Sequence, residues 1–100
     1  VKPYIELKGA SGAVYRYKLA EDADPRTTIA GNFVYLDEIG TVLLAGETNN
    51  LVGANERWGE AVLRHHAKAL YTRLNVSGAS RTEEFADIVA ALDPAMNRQA

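Results

Sequence analysis

Three features of the chain predict an α+β fold, a mainly antiparallel sheet with helices packed on it. Residues 4–19 alternate apolar and polar around the turn Gly9-Ala10-Ser11-Gly12. Residues 32–45 form two short, almost wholly apolar runs separated by Glu38-Ile39-Gly40. From Asn50 the apolar residues take up helical spacing, and a further alternating run and a second helical stripe follow. The order β-β, β-β-α-β-α suits a sheet that buries one or both faces under helices.

In the first hairpin, Ile5 and Leu7 oppose Glu6 and Lys8. Tyr15, Tyr17 and Leu19 oppose Val14, Arg16 and Lys18. Two period-two runs around a glycine-rich turn are a hairpin pattern. Glu21-Asp22-Ala23-Asp24-Pro25 reads as an acidic loop ended by a proline. Phe33-Val34-Tyr35-Leu36 and Thr41 to Ala45 are the next two strands, and their apolar character predicts central positions covered on both faces.

Leu51, Ala54, Trp58, Ala61, Val62 and His65 then fall on one helical stripe. Gly53 and Gly59 each weaken that helix by roughly 1 kcal/mol against alanine, so its first turn is expected to be irregular. Ala69 to Val76 alternates as a strand. Ser80-Arg81-Thr82-Glu83 has the spacing of a capping box, which predicts a helix start there. Phe85, Ile88, Val89 and Leu92 form its apolar face, and Asp93-Pro94 ends it.

Composition narrows the function classes. One hundred residues make one domain, 1–100, with residues 1–20 as an N-terminal hairpin extension and 31–97 as the core. Hydrophobic residues are 47% and charged residues 24%, a globular balance. With no cysteine, neither disulfides nor thiolate metal sites are available. The apolar runs are too short to span a bilayer, and Val1-Lys2-Pro3-Tyr4 does not read as a signal peptide. A cytoplasmic protein without membrane contact is the expectation.

The corner Gly46-Glu47-Thr48-Asn49-Asn50-Leu51 follows an apolar strand and opens a helix, and Pro94-Ala95-Met96-Asn97 follows the last helix. In order and spacing these segments resemble the GIY-YIG nuclease superfamily over about residues 31 to 97. The second family motif commonly continues as Gly-x-Thr-x-Asn-Leu, and the domain often ends in Pro-x-x-Asn. The resemblance implies a β-β-α-β-α core, to which the N-terminal hairpin is an addition.

The resemblance also implies where chemistry would sit. In the family, a tyrosine from each motif surrounds the attacking water. An arginine on the first helix steadies the phosphate, and a glutamate on the second holds a divalent metal. Here the first motif reads Gly31-Asn32-Phe33, so its tyrosine position is Phe33, with Tyr35 two residues on. The second tyrosine position is Leu44, the arginine position is Ala54, and the histidine often found a turn later falls on Trp58. Arg57 lies one turn past Ala54. The glutamate position is Phe85, with Glu84 adjacent; on a helix that one-residue slip turns the side chain by about 100°. Phosphodiester hydrolysis needs a placed water and positive charge on the developing oxyanion. Phenylalanine, leucine and alanine supply neither.

Two expectations follow from the resemblance, and a third stands apart from it. The first is a catalytically degenerate GIY-YIG-like domain acting as a nucleic-acid-binding or accessory module. Its contacts would be Thr48, Asn50, Arg57, Arg64, Lys68, Arg73 and Arg81. The last five stand against Glu60 alone between residues 57 and 81, a basic surplus that a phosphate-tracking face requires. The second is a divergent endonuclease with Tyr35, Arg57 and Glu84 as catalytic residues, Glu84 holding Mg²⁺ or Mn²⁺; otherwise no cofactor is expected. The third is a protein-interaction or structural module.

Other residues have plainer readings. Trp58 belongs to the apolar stripe, and Thr48 and Asn50 suit a helix cap. Adjacent His65 and His66 point about 100° apart on a helix, a poor chelate. The N-terminal hairpin extends the sheet, and an open edge there would allow homo-oligomer pairing or present Tyr15 and Tyr17 to a partner.

Overall fold

The computed structural model describes residues 1–98. Strands β1 (Tyr4–Lys8), β2 (Val14–Ala20), β3 (Gly31–Asp37), β4 (Val42–Thr48) and β5 (Ala67–Leu74) form one sheet in the order β1-β2-β5-β3-β4. Every neighbouring pair is antiparallel. Helix α1 (Trp58–His65) precedes β5, and α2 (Gly78–Leu92) follows it. The fold is therefore α+β, as the periodicities predict. Among the described residues no helix is long and apolar enough to cross a membrane.

Strand parity sorts side chains onto two faces. Val34 and Leu36 join Tyr17, Ala69, Tyr71 and Ile88 in one apolar cluster, which α2 covers. Tyr35 and Leu70 join Leu44, Ala61 and Met96 in the other, with Trp58 packed against it. Trp58 meets the Tyr35 ring edge-on at 5.1 Å between centroids, so it is a packing residue of α1. The register of β3 against β4 shifts between Tyr35 and Leu36. That bulge puts both Leu43 and Leu44 on the α1 side, which is how four consecutive residues of β4 come to be buried.

Four sequence expectations need adjustment. First, β4 is covered on both faces but lies at the sheet edge; β3 and β5 are the central strands. Its outer side is closed by Asn97, which accepts from the Ala45 N–H at 2.8 Å and donates to the Ala45 carbonyl at 2.8 Å. Second, the first helical stripe divides into a 3-10 turn, Leu51–Asn55, and the eight-residue α1, so the irregular start extends over more than one turn. Third, α2 starts earlier than the capping-box spacing suggests. Ser77 is its cap, accepting from Ser80 N–H at 3.3 Å, because the chain turns directly out of β5. Fourth, β5 begins and ends two residues before the predicted run.

Gly31 and Gly46 are demanded by close approach. A Cβ on Gly31 would overlap the Arg73 carbonyl of the neighbouring strand, and one on Gly46 would enter the Phe33 ring. The glycines that open the first motif and close the second are thus required by packing.

The paired bonds from Asn97 make a testable contribution. Asn97→Ala leaves two edge-strand backbone groups without partners and should destabilise the fold by about 1–3 kcal/mol. Native-state hydrogen exchange should speed up at the Ala45 amide while β5 amides keep their protection. An unchanged Ala45 rate would show that this edge is held by something else.

Candidate functional site

The turn from β4 into α1 is built by its own side chains. Thr48 Oγ1 accepts from the Asn50 N–H and donates to the Asn50 carbonyl, both at 3.1 Å. Asn50 Oδ1 accepts from Val52 N–H at 3.0 Å and caps the 3-10 turn. Leu51 is wholly buried beside Gly31. The Gly-x-Thr-x-Asn-Leu pattern therefore has a complete architectural role: a close-approach glycine, a threonine-asparagine corner and an apolar plug.

On the α1 side, Tyr35 is fully buried. Its hydroxyl donates to the Ala54 carbonyl at 2.6 Å and accepts from the Arg57 N–H at 3.3 Å. Burial pushes the phenol up to about 12, so it is neutral and its proton is committed to the turn. Arg57 holds Glu60 with two parallel 3.1 Å bonds and reaches the Met96 carbonyl at 3.4 Å. That fork pins the start of α1 to the C-terminal 3-10 turn, Ala95–Arg98. The bond to Arg57 also keeps the Glu60 carboxyl below its ordinary range.

On the α2 side lies a second polar centre. Glu84 is 2% exposed. One carboxylate oxygen accepts from Tyr17 Oη at 2.7 Å. The other accepts from Arg73 Nε at 3.0 Å and from Asn75 Nδ2 at 3.4 Å. Asn75 also donates to buried Asn32 at 3.2 Å, and Asn32 donates to the Arg81 carbonyl at 3.1 Å. Arg81 extends the chain of contacts to Glu47 at 3.1 Å and to the carbonyls of Asn75 and Val76. One turn beyond Glu84, Asp87 accepts from Ser11 and from Tyr15 Oη at 2.7 Å. The Ser11 bonds hold Asp87 below its usual range, and the bond to Asp87 pushes Tyr15 up to about 12. Burial, followed by the bond to Glu84, pushes Tyr17 well above an ordinary tyrosine.

The structure thus brings Tyr35 and Arg57 together but leaves Glu84 on the opposite face of the sheet. Asn32 and Arg73, paired across β3 and β5, face α2; Tyr35, three residues past Asn32, faces α1. A single substrate atom cannot touch all three. Of the positions at which the resemblance implies functional groups that the residues lack, Leu44 and Ala54 are buried, and Phe33 lies tilted against Tyr35 at 5.9 Å. The divalent ion that the resemblance implies does not fit at Glu84: both oxygens are already engaged, and a guanidinium nitrogen already stands 3.0 Å away. Among the described residues no three histidine, aspartate or glutamate side chains converge on a common point.

The basic residues are likewise divided. Arg57, Arg73 and Arg81 are engaged with Glu60, Glu84 and Glu47. Arg64 and Lys68 are exposed and make no ion pair among the described residues. His66 ends α1 in the left-handed conformation, and Nε2 of His65 is buried without a hydrogen-bond partner among the described residues. Tyr15 and Tyr17, for which presentation to a partner was one of the readings, face α2 and bond to Asp87 and Glu84. The Glu84 network was missed from sequence, although Asn32 is a polar residue in step with Val34 and Leu36 and so offered a signal. No family model, curated protein or solved structure matches the chain.

If Glu84 is held as described, Tyr17→Phe should destabilise the fold by about 1.5–3 kcal/mol, the range for a hydrogen bond to a charged group. Tyr71→Phe loses only a bond to the Lys2 carbonyl near the chain start and should cost less than about 1 kcal/mol. Equal effects in urea denaturation would contradict the central place given to Glu84.

Proposed function

We propose that this chain is a GIY-YIG-like domain that binds nucleic acid without cleaving it. One observation carries the non-catalytic part: the sheet separates Tyr35 and Arg57 from Glu84, and each of the three is already bonded within the fold. A hydrolytic site keeps at least one activated oxygen and one cation available to substrate. Here the Tyr35 proton, the Arg57 fork and the Glu84 oxygens serve packing.

The binding part is supported by the motif order over residues 31–97 and by exposed cations that the fold does not consume, Arg64 and Lys68 among them. Phosphate contacts by such cations release condensed counterions, so the affinity falls with salt. Nothing in that mode of binding requires the missing tyrosine hydroxyls.

The test is one experiment on the intact chain, with labelled single- and double-stranded DNA and RNA in the presence of Mg²⁺ or Mn²⁺. Retardation that weakens between 50 and 200 mM salt, with no cleavage, is the expected result. Cleavage abolished by Glu84→Gln with the fold intact by circular dichroism would replace this reading with that of a divergent metal-dependent endonuclease. Neither binding nor cleavage would leave a protein-interaction or structural role.

A further inference from the structure

Helix α1 covers only part of its side of the sheet. Its cluster spans Tyr35, Leu43, Leu44 and Leu70, over β3, β4 and the first half of β5. Among the described residues no α-helix covers the same face of β1, β2 and the end of β5. Register places the residues on this bare area. Tyr4 pairs with Lys18, Glu6 with Arg16 and Lys8 with Val14. Lys18 pairs with Thr72, and Thr72 with Phe33. Tyr4, Lys18, Thr72 and Phe33 therefore form one row across four strands, ending where Phe33 lies over Gly46.

The charge on this area differs from that of the chain. The sequence carries a net charge of −2. Of the residues that β1 and β2 place on that face, Lys8, Arg16 and Lys18 are exposed and Glu6 is the one acidic residue. None of the three cations is in an ion pair among the described residues. The Arg16 guanidinium lies 4.1 Å from the centroid of the Tyr4 ring, which is 44% exposed. That stack offers a flat cation backed by an aromatic ring, a surface on which an unstacked base can lie. Beside it runs a cleft of about 990 Å³, lined by Tyr4, Arg16, Lys18, Thr72 and Leu74 and bounded by the loop from Glu21 to Thr27. Acidic Glu21, Asp22 and Asp24 lie at that loop end, where Asp24 pairs with Arg26 at 3.4 Å. The basic strand positions continue away from them toward Lys8.

We infer that this bare sheet face is the nucleic-acid surface and that its ligand is single-stranded. The inference rests on the nucleic-acid reading above and adds where the strand lies and in what form. A flat platform with an exposed ring and strand-borne cations suits splayed bases and a tracked backbone. Duplex DNA offers no free base faces to it, and most of its readers insert a helix or ribbon into a groove.

The experiment uses fluorescence anisotropy with fluorescein-labelled oligothymidine and oligouridine, and a DNA duplex of equal length. R16Q/K18Q should weaken single-strand binding by about tenfold and reduce the salt slope by roughly 1.4, the contribution of two phosphate contacts. Tyr4→Ala should weaken it by about tenfold through lost stacking. Arg98→Gln, in the C-terminal 3-10 turn, should bind as the unaltered chain does. These side chains are exposed, so unchanged thermal melting is expected and confirms folding. If R16Q/K18Q binds normally while R64Q/K68Q binds weakly, the surface assignment fails and the nucleic-acid reading stands. Equal or tighter duplex binding overturns the choice of ligand. No binding of any oligonucleotide by the unaltered chain overturns both.

Discussion

The buried Glu84 carboxylate is the constraint around which the α2 side is organised. A charge 2% exposed is stable only when its oxygens are supplied with donors. Its donors come from separate parts of the chain: Tyr17 from the N-terminal hairpin, Arg73 from central β5, and Asn75 from the segment leading into α2. A single side chain thereby bonds α2 to the sheet and ties the hairpin to the core. Asp87, one turn on, repeats the device with Ser11 and Tyr15. Gly9 belongs to the same arrangement, because a Cβ there would collide with the Asp87 carboxylate. Apolar contact alone would let a helix slide over a sheet; directional bonds to a buried charge do not.

The two faces divide the work of the fold. The α2 face spends its polar groups on holding elements together. The α1 face is half covered: Trp58, Tyr35 and Met96 fill one part, and β1 and β2 leave the rest open. An antiparallel sheet tolerates one solvated face. Segments that resemble a nuclease motif serve as structural corners here. Thr48 and Asn50 shape the turn, Gly31 and Gly46 allow close approach, and Asn97 seals the outer strand.

Much of this was legible in the residues. Period-two runs located β1, β2 and β5, short apolar runs located β3 and β4, and the stripe from Leu51 to His65 located the first helical region, because these signals depend only on local sequence. The start of α2 was misplaced because two serines, Ser77 and Ser80, compete as caps, and the choice depends on where β5 releases the chain. The ion pairs divided in the same way. Arg57 and Glu60 are three residues apart and readable. Arg73 meets Glu84, and Arg81 meets Glu47 thirty-four positions away, so a local surplus of positive charge overstated the basic surface. The separation of Glu84 from Tyr35 was hidden for another reason. Parity shows that Asn32 and Tyr35 face opposite ways, but which helix lies on which face is decided by the path through β5.

The most direct test is a double-mutant cycle on Arg73 and Glu84 in urea denaturation, using Arg73→Met, Glu84→Gln and the pair. A carboxylate that organises the fold through this partner predicts a coupling energy of about 2 kcal/mol or more, the upper part of the range for contacting residues. Additivity within about 0.5 kcal/mol would contradict the account, because it would mean that Glu84 does not depend on Arg73 and is free for another role.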